Sequence, residues 1–584
     1  MSMRISRLIP AAATIVLSSV GFAVDQPDPR TRTFVYPKRI VWHTKDVADC
    51  AVASTSAAVL PEKLLDRKHG QVCETRFARS VGTKLVNKGA APGVILDFGR
   101  ELHGGVQIGI SPTGTANSRI RVRFGESVAE TLSTVGDGRN ASNDHALRDF
   151  ELPVPLFGSI EVGNTGFRFL RLDLVTEGEV GIEFVRAISL MRPMARLGWF
   201  KSSDARLNEV FDTAVRTVHL CCQEYLWDGI KRDRLVWMGD IHPEARAIFS
   251  VFGAADVLRD TLDYAIATTP SDGWMNAWFD TYTAWFLRVV HEWYLFTGDT
   301  DFVRDRSAYL KETIEHVLLT DGKNAKSSMS GFLDWPTHGN KAAETAGAAA
   351  LWAMAFDASA ELAVILGDGR LAERCRNAAA SRRSANLVPH GSKSAAALLA
   401  LSGMRPASDM FAEVLGRNGH DGVSTFYGYY MIEAMEAAGE HARALDTVRD
   451  YWGAMLDMGA TSFWEDFAVS WTNNAFRIDE MPIAGKKDIH GEYGQFCYKG
   501  FRHSLCHGWS AGPAAWCINR VLGIRSLSPG CGTVEVKPSL EGLDWAEGAM
   551  ALPCGETIKV RAERTRDGSV AVEVSAPDKI KIIR

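Results

Sequence analysis

Residues 203–218 read SDARLNEVFDTAVRTV, and at this stretch the chain changes period. Leu207, Val210, Phe211, Ala214 and Val218 fall on one face of a helix, with Ser203 placed as its N-cap. Amphipathic segments then follow one another: 243–252, 277–296, 341–366, 426–438, 441–458 and 504–522, with Gly or Gly-Asp breaks between them. About a dozen helices in paired order, with uneven loops and no short repeat, fit a toroid of inner and outer helices. The expected fold is a multidomain chain with a central all-α (α/α)6 barrel. An irregular all-α domain would give the same periodicity.

Working outward, the pattern on both sides is β. Between Gly93 and Met191 the runs GVILDFG, VQIGI, RIRVRFGES, FRFLRLDLV and GIEFVRAISL are rich in Val, Ile and Phe and are separated by Gly, Asn and Ser. Alternation in RIRVRF and FRFLRLDL indicates half-buried antiparallel strands, hence an N-terminal β-sandwich. After Gly523 the runs TVEVKP, ETIKVRAER and SVAVEVSA predict a small C-terminal antiparallel β domain. The expected boundaries are 24–198, 199–523 and 524–584. They follow a signal peptide at 1–23, where Arg4 and Arg7 precede the apolar run Leu8–Val20 and the small-residue exit Gly21-Phe22-Ala23. Export, to periplasm or medium, is the expectation. The apolar run is too short to span a bilayer comfortably, and no later segment is expected to reach transmembrane length.

Composition narrows the partners. The chain has 584 residues, 46% hydrophobic and 23% charged, and its 65 basic and 70 acidic residues are spread without a basic stripe, which argues against nucleic acid. The 16 Trp mildly favour a sugar ligand, since indole faces stack on sugar C–H faces, although large cores also bury Trp. The ten Cys do not form a small-domain scaffold, but Cys531 and Cys554 flank strand-like segments and could pair. Cys221 and Cys222 are adjacent on a helix and point to different faces. No CxxC pair suggests zinc, so neither metal nor cofactor is expected, and oligomeric state is not readable.

Three segments carry chemistry. DGIKRDRLVWMGD, residues 228–240, sets Asp228, Arg232, Asp233 and Asp240 beside Trp227 and Trp237, too polar for a helix core and too aromatic for a solvated loop. Carboxylates beside Trp and Arg suit sugar hydrolysis, in which one acid protonates a leaving oxygen while others hold hydroxyls; a salt-bridged loop is the bland alternative. GATSFWEDF, residues 459–467, puts Glu465 after Trp464 and before Phe467, where a second carboxylate could activate water and Trp464 could face the sugar. FRHSLCHGWSAGPAAW, residues 501–516, is expected to open a helix at Ser504 with His507 in its first turn, orienting Glu465 or simply capping. Weaker signals are DGWMNAWFD, with Trp278, and SGFLDWPTHGN, with Asp334 and Trp335.

These segments, in this order between two β regions, resemble the α-L-rhamnosidases of glycoside hydrolase family 78. Asp228, Arg232, Asp233, Trp237, Gly239 and Asp240 match elements of that family's DxPxRDERxxWxGD signature. GATSFWE resembles its (T/S)xWE segment, HSLCHG its SLNH segment, and DFGRELHGG and RVRFGESVAE its N-terminal β domain. The resemblance implies an (α/α)6 catalytic barrel releasing L-rhamnose by one inverting displacement. It makes Glu465 the general base and Asp228 and Asp240 the holders of rhamnose hydroxyls. His507 becomes a subsite histidine, Arg232 a supporting arginine and Trp335 an apolar wall. The family's acid is the Glu after Arg-Asp. This chain reads Arg-Asp-Arg, one residue shorter, and Asp233 keeps the spacing to Asp240, with Glu244 as the nearest substitute. Two rivals share the pattern: a polysaccharide lyase using Tyr498, Lys499 and Arg502, and a sugar-binding homologue without catalysis.

Overall fold

The computed structural model describes residues 27–45, 56–66, 82–111, 115–277, 279–320, 331–495 and 499–584. The signal-peptide segment, Trp278 and Tyr498 lie outside the described residues.

The N-terminal strands form one antiparallel network of nine. Their order is Ala57–Val59, Thr83–Asn87, Gly178–Met191, Gly93–Ile110, Gly158–Leu174, Arg119–Gly125 and Asp149–Pro153, with Thr31–Val35 on Gly178–Met191 and Arg39–His43 on Gly93–Ile110. GVILDFG and VQIGI, separate in the sequence reading, are two halves of the single 18-residue strand Gly93–Ile110. That strand is bulged between Asp97 and Leu102, where Gly99 takes φ +82°. Before the bulge it pairs with Arg39–His43; after it, with Gly178–Met191. The strand thus changes partner across the bulge, and Leu96, Phe98, Val106 and Phe167 share one core.

The helical region begins as the period predicts, with one shift. The helix Ala205–Cys221 is capped by Asp204, whose carboxylate accepts from the N–H groups of Arg206 and Leu207. Ser203 instead accepts from the Asp544 N–H, because Trp199–Ser202 is a strand of the C-terminal sheet paired with Trp545–Ala551. The boundary expected at 198/199 thus crosses an element that joins both regions. Six helices pack in a closed ring: Ile241–Val251, Asp280–Thr297, Lys341–Ile365, Lys393–Leu401, Gly428–Ala437 and Gly512–Trp516, the last returning to the first. Lys341–Ile365 corrects one reading. By length and composition it could cross a membrane, but 78% of its apolar window is buried in the fold, as a ring helix requires.

The sheet region is clamped to the ring by buried charge. The Lys231 ammonium sits 3.2 Å from Glu126 and 3.0 Å from Glu130, both on the sheet side, and donates to the His503 carbonyl at 2.9 Å. Glu126, Glu130 and His490 have the spacing of a cation site, and Lys231 Nζ, also 3.4 Å from His490 Nε2, is the cation that they surround. Arg148 makes a second pair with Glu130.

The suggested Cys531–Cys554 pair is not formed, whereas a buried thiol at Cys221–Cys222 is found as expected. Cys531 donates to the Phe296 carbonyl and Cys554 to Glu556, and both are free. Cys221 and Cys222 are both buried.

Removing one partner of a buried ion cluster leaves uncompensated charge, at a cost of about 3–5 kcal/mol. Lys231→Met is expected to lower stability by that amount, read as a fall in denaturant midpoint against wild type.

Candidate active site

The N-terminal ends of the ring helices gather the chemistry. Asp240 immediately precedes Ile241–Val251, and its carboxylate accepts from the Tyr282 hydroxyl in the first turn of Asp280–Thr297. Asp334 accepts from Ser394, at the start of Lys393–Leu401, and from Ser424, just before Gly428–Ala437. Thr425, beside Ser424, donates to the Glu465 carbonyl. The unsatisfied N–H groups and partial positive charge of helix starts favour carboxylates at that end.

The 459–467 and 501–516 segments lie side by side. Glu465 N donates to the Ser504 carbonyl, Ser504 N donates to Glu465 Oε2 at 3.1 Å, and His507 N donates to the Phe463 carbonyl. The 228–240 loop joins them: Gly508 N donates to the Asp228 carbonyl at 2.7 Å, and Gly229 bridges to His507. His507 is therefore extended (φ −138°) and precedes a short 3-10 turn, Gly508–Ala511, rather than lying in a first helical turn. The expected helix 504–522 is confined to Gly508–Val521 and is irregular along its length, because residues 504–507 give their backbone to neighbouring loops.

Side chains converge accordingly. One Arg232 guanidinium donates to Asp233 Oδ1 at 3.0 Å and, through its other terminal nitrogen, to Glu465 Oε1. His507 Nε2 stands 3.6 Å from Asp228 Oδ2 and 3.5 Å from Glu465 Oε1. The bland reading, with Asp228, Arg232 and Asp233 paired to one another, fails at Asp228, whose Oδ1 accepts from the Leu235 N–H instead. Burial pushes the Asp228, Asp240 and Glu465 carboxyls up, with Arg232 and then His507 opposing it at Glu465. Burial pushes His507 down to about 4, so near neutral pH its imidazole is uncharged.

Six residues singled out from sequence thus share one site: Asp228, Arg232, Asp233, Asp240, Glu465 and His507. Trp237 is half-buried at its margin, with its ring edge against Phe279 and Tyr282, and Trp335 is half-buried against Phe332. Asp334 lies one layer below, bonded to Ser394, Ser424 and Thr337. Trp464 is corrected: it is 0% exposed, enclosed with Phe467 and His503, and offers no face to a sugar. Of the lyase residues, Arg502 is paired with Asp144.

Two functional features escaped the sequence reading. Glu126, from the sheet, accepts from the Leu505 N–H at 2.6 Å and so holds the histidine segment. The signal was two acidic residues in an otherwise strand-like RVRFGESVAE. The second is Asp233-Arg234, consecutive non-glycine residues in left-handed conformation (φ 53° and 54°).

Glu244 is fully buried in Ile241–Val251, and neither carboxyl oxygen has a hydrogen-bond partner among the described residues. A Cβ at Gly508 would stand 2.0 Å from its Oε1, so a side chain there would have to displace the Glu244 carboxyl. Burial, then Asp240 and Asp228, push its carboxyl well up. The native state then holds a proton that the unfolded chain releases above about pH 4.3, so stability falls as pH rises through that window. Glu244→Gln, which mimics the protonated form, is expected to flatten this fall. The check is melting temperature against pH for variant and wild type.

Residues 195–387 match the family described as bacterial alpha-L-rhamnosidase 6 hairpin glycosidase domain, a span that includes the 228–240 loop and ends before Glu465. No curated protein sequence matches the chain. Among solved structures, a GH78 family rhamnosidase of Bacillus sp. GL1 superposes with TM-score 0.71 at 20% identity, covering 90% of this chain. The chain spans only 55% of that protein's length. A rhamnosidase from Klebsiella oxytoca with rhamnose bound gives TM-score 0.65 at 20% identity, covering 84% of this chain and 96% of that one. A Streptomyces avermitilis alpha-L-rhamnosidase complexed with L-rhamnose gives 0.64 at 17% identity, covering 86% and 50%. In fold over 84% to 90% of its length, and in sequence over residues 195–387, the chain is similar to the α-L-rhamnosidases of glycoside hydrolase family 78 that its motifs resemble.

Proposed function

We propose that the chain is an exported glycoside hydrolase that removes terminal L-rhamnose with inversion at the anomeric carbon. The observation that carries this reading is the single Arg232 guanidinium joining Asp233 and Glu465 in a pocket of buried carboxyls. Inverting hydrolysis needs two carboxyl groups roughly 6.5–9.5 Å apart, with room for water between one of them and the sugar. The two terminal nitrogens of Arg232 bring one carboxyl each to a single pocket, and the anomer released first decides between inversion and retention.

In this reading Asp233 protonates the leaving oxygen and Glu465 takes the proton of the attacking water. Arg232 opposes the burial that raises the Glu465 carboxyl. Neutral His507, within 3.6 Å of Asp228 and of Glu465, orients the hydroxyl-binding side. Asp228 and Asp240 hold sugar hydroxyls, and Trp335 and Trp237 offer half-buried rings to the apolar face of a 6-deoxy sugar. The closed ring of six helices supports an (α/α)6 barrel as the frame. Arg4, Arg7 and the apolar run after them support export.

The test is to incubate the protein with an aryl α-L-rhamnoside and follow the first-formed anomer by NMR. β-L-rhamnose is expected, with Asp233→Asn and Glu465→Gln each lowering kcat by about 10²–10⁴-fold. Release of the α-anomer would sink inversion, and no release from any deoxy-sugar glycoside would leave a sugar-binding protein.

A further inference from the structure

Asp233 and Arg234 occupy a conformation that their side chains disfavour. Within the loop the Arg234 N–H donates to the Arg232 carbonyl at 2.7 Å, and a second set of restraints comes from the sheet region. In the segment between the strands Arg119–Gly125 and Asp149–Pro153, His145 points its ring at Asp233: Nδ1 lies 3.3 Å from the Asp233 N–H and 3.6 Å from Asp233 Oδ1. The His145 carbonyl accepts from Arg234, whose other terminal nitrogen donates to the Asn164 carbonyl at 2.8 Å. Both left-handed residues are therefore tied to backbone or imidazole of the sheet region.

His145 is itself fixed. Asn143 Oδ1 accepts from the N–H groups of Arg148 and Asp149, and its amide donates to the Asp149 carbonyl, closing the segment on itself. His145 Nε2 faces Asp144 at 3.4 Å and Arg502 at 3.1 Å, and Arg502 is ion-paired with Asp144. A neutral imidazole has one lone pair, sought both by the Asp233 N–H at Nδ1 and by Arg502, a donor only, at Nε2; it stands at Nδ1 in the tautomer whose Nε2–H points to Asp144. Burial lowers the imidazole's affinity for a second proton, which keeps that lone pair available.

We propose that His145 is a positioning residue for the candidate acid: by accepting the Asp233 N–H it holds the left-handed Asp233–Arg234 turn and so aims the Asp233 carboxyl at the leaving oxygen. This rests on the glycosidase reading above, and it makes the active site a joint product of sheet and helical ring. A misplacement of about 1 Å in a reacting group can cost on the order of 100-fold in rate.

The experiment compares wild type, His145→Ala and His145→Asn on phenyl and 2,4-dinitrophenyl α-L-rhamnosides, with hydrogen–deuterium exchange of the peptide covering 229–238. Dinitrophenolate departs without a proton, so a defect in acid positioning shows only on the phenyl substrate. The expected result is a kcat loss of about 10- to 100-fold for His145→Ala on phenyl rhamnoside. KM and the dinitrophenyl rate should stay near wild type. Exchange across 229–238 should speed up, and His145→Asn, whose amide oxygen can take the place of Nδ1, should recover both properties. Equal losses on both substrates, or unchanged rate with unchanged exchange, would overturn the proposal. If wild type cleaves neither glycoside, the glycosidase reading fails by itself, and exchange alone decides whether His145 holds the turn.

Discussion

Five carboxyl groups, Asp228, Asp240, Glu244, Asp334 and Glu465, are buried within one small region at the head of the helical ring, and burial pushes each of them up. Ionised carboxylates packed this closely would repel one another and lose their hydration. The fold meets the constraint in three ways. Ring helices direct their N-terminal ends at the group. Arg232 is placed in direct contact with Glu465, where ionisation is needed. Elsewhere, as at Glu244, the proton is retained.

The sheet region belongs to this arrangement. Lys231 occupies the loop position just before Arg232, yet its charge is answered by Glu126 and Glu130 from the sheet. Glu126 in turn holds the Leu505 N–H, two residues before His507. The acid-bearing loop, through Lys231, and the histidine segment, through Leu505, thus share Glu126, which adds to the direct bond between Gly508 and the Asp228 carbonyl in fixing their separation.

Much of this was legible in the sequence, for identifiable reasons. Helical period located most of the ring, and alternation located most of the strands, since both are local consequences of one buried face. Asp228, Arg232, Asp233, Asp240, Glu465 and His507 stood out because charge beside Trp inside an apolar context is costly unless used. What was not legible depends on distant partners. Ser203 resembles an N-cap as well as Asp204 does, and only the pairing of Trp199–Ser202 with a strand far downstream decides between them. Trp464 reads as a sugar platform from its neighbours, but the ring encloses it. His507 has the surroundings of a helix start, yet its backbone is spent on Phe463 and Gly229. His145 lies in a polar stretch without a motif, and nothing local connects it to Asp233.

The strand Trp199–Ser202 has a consequence for how the chain is made. Its partner is Trp545–Ala551, and the adjacent Ser203 and Asp544 that meet there are 341 residues apart. During synthesis this strand emerges before the first ring helix and stays without its sheet until the whole ring has been translated. An unpaired strand is a template for other chains, so the interval is one of exposure to misassembly. Assembly of the ring and closure of the C-terminal sheet are therefore coupled events at the end of translation. A truncation just after the ring would remove more than an appendage, because it would leave Trp199 and Phe200 without the strand that covers them.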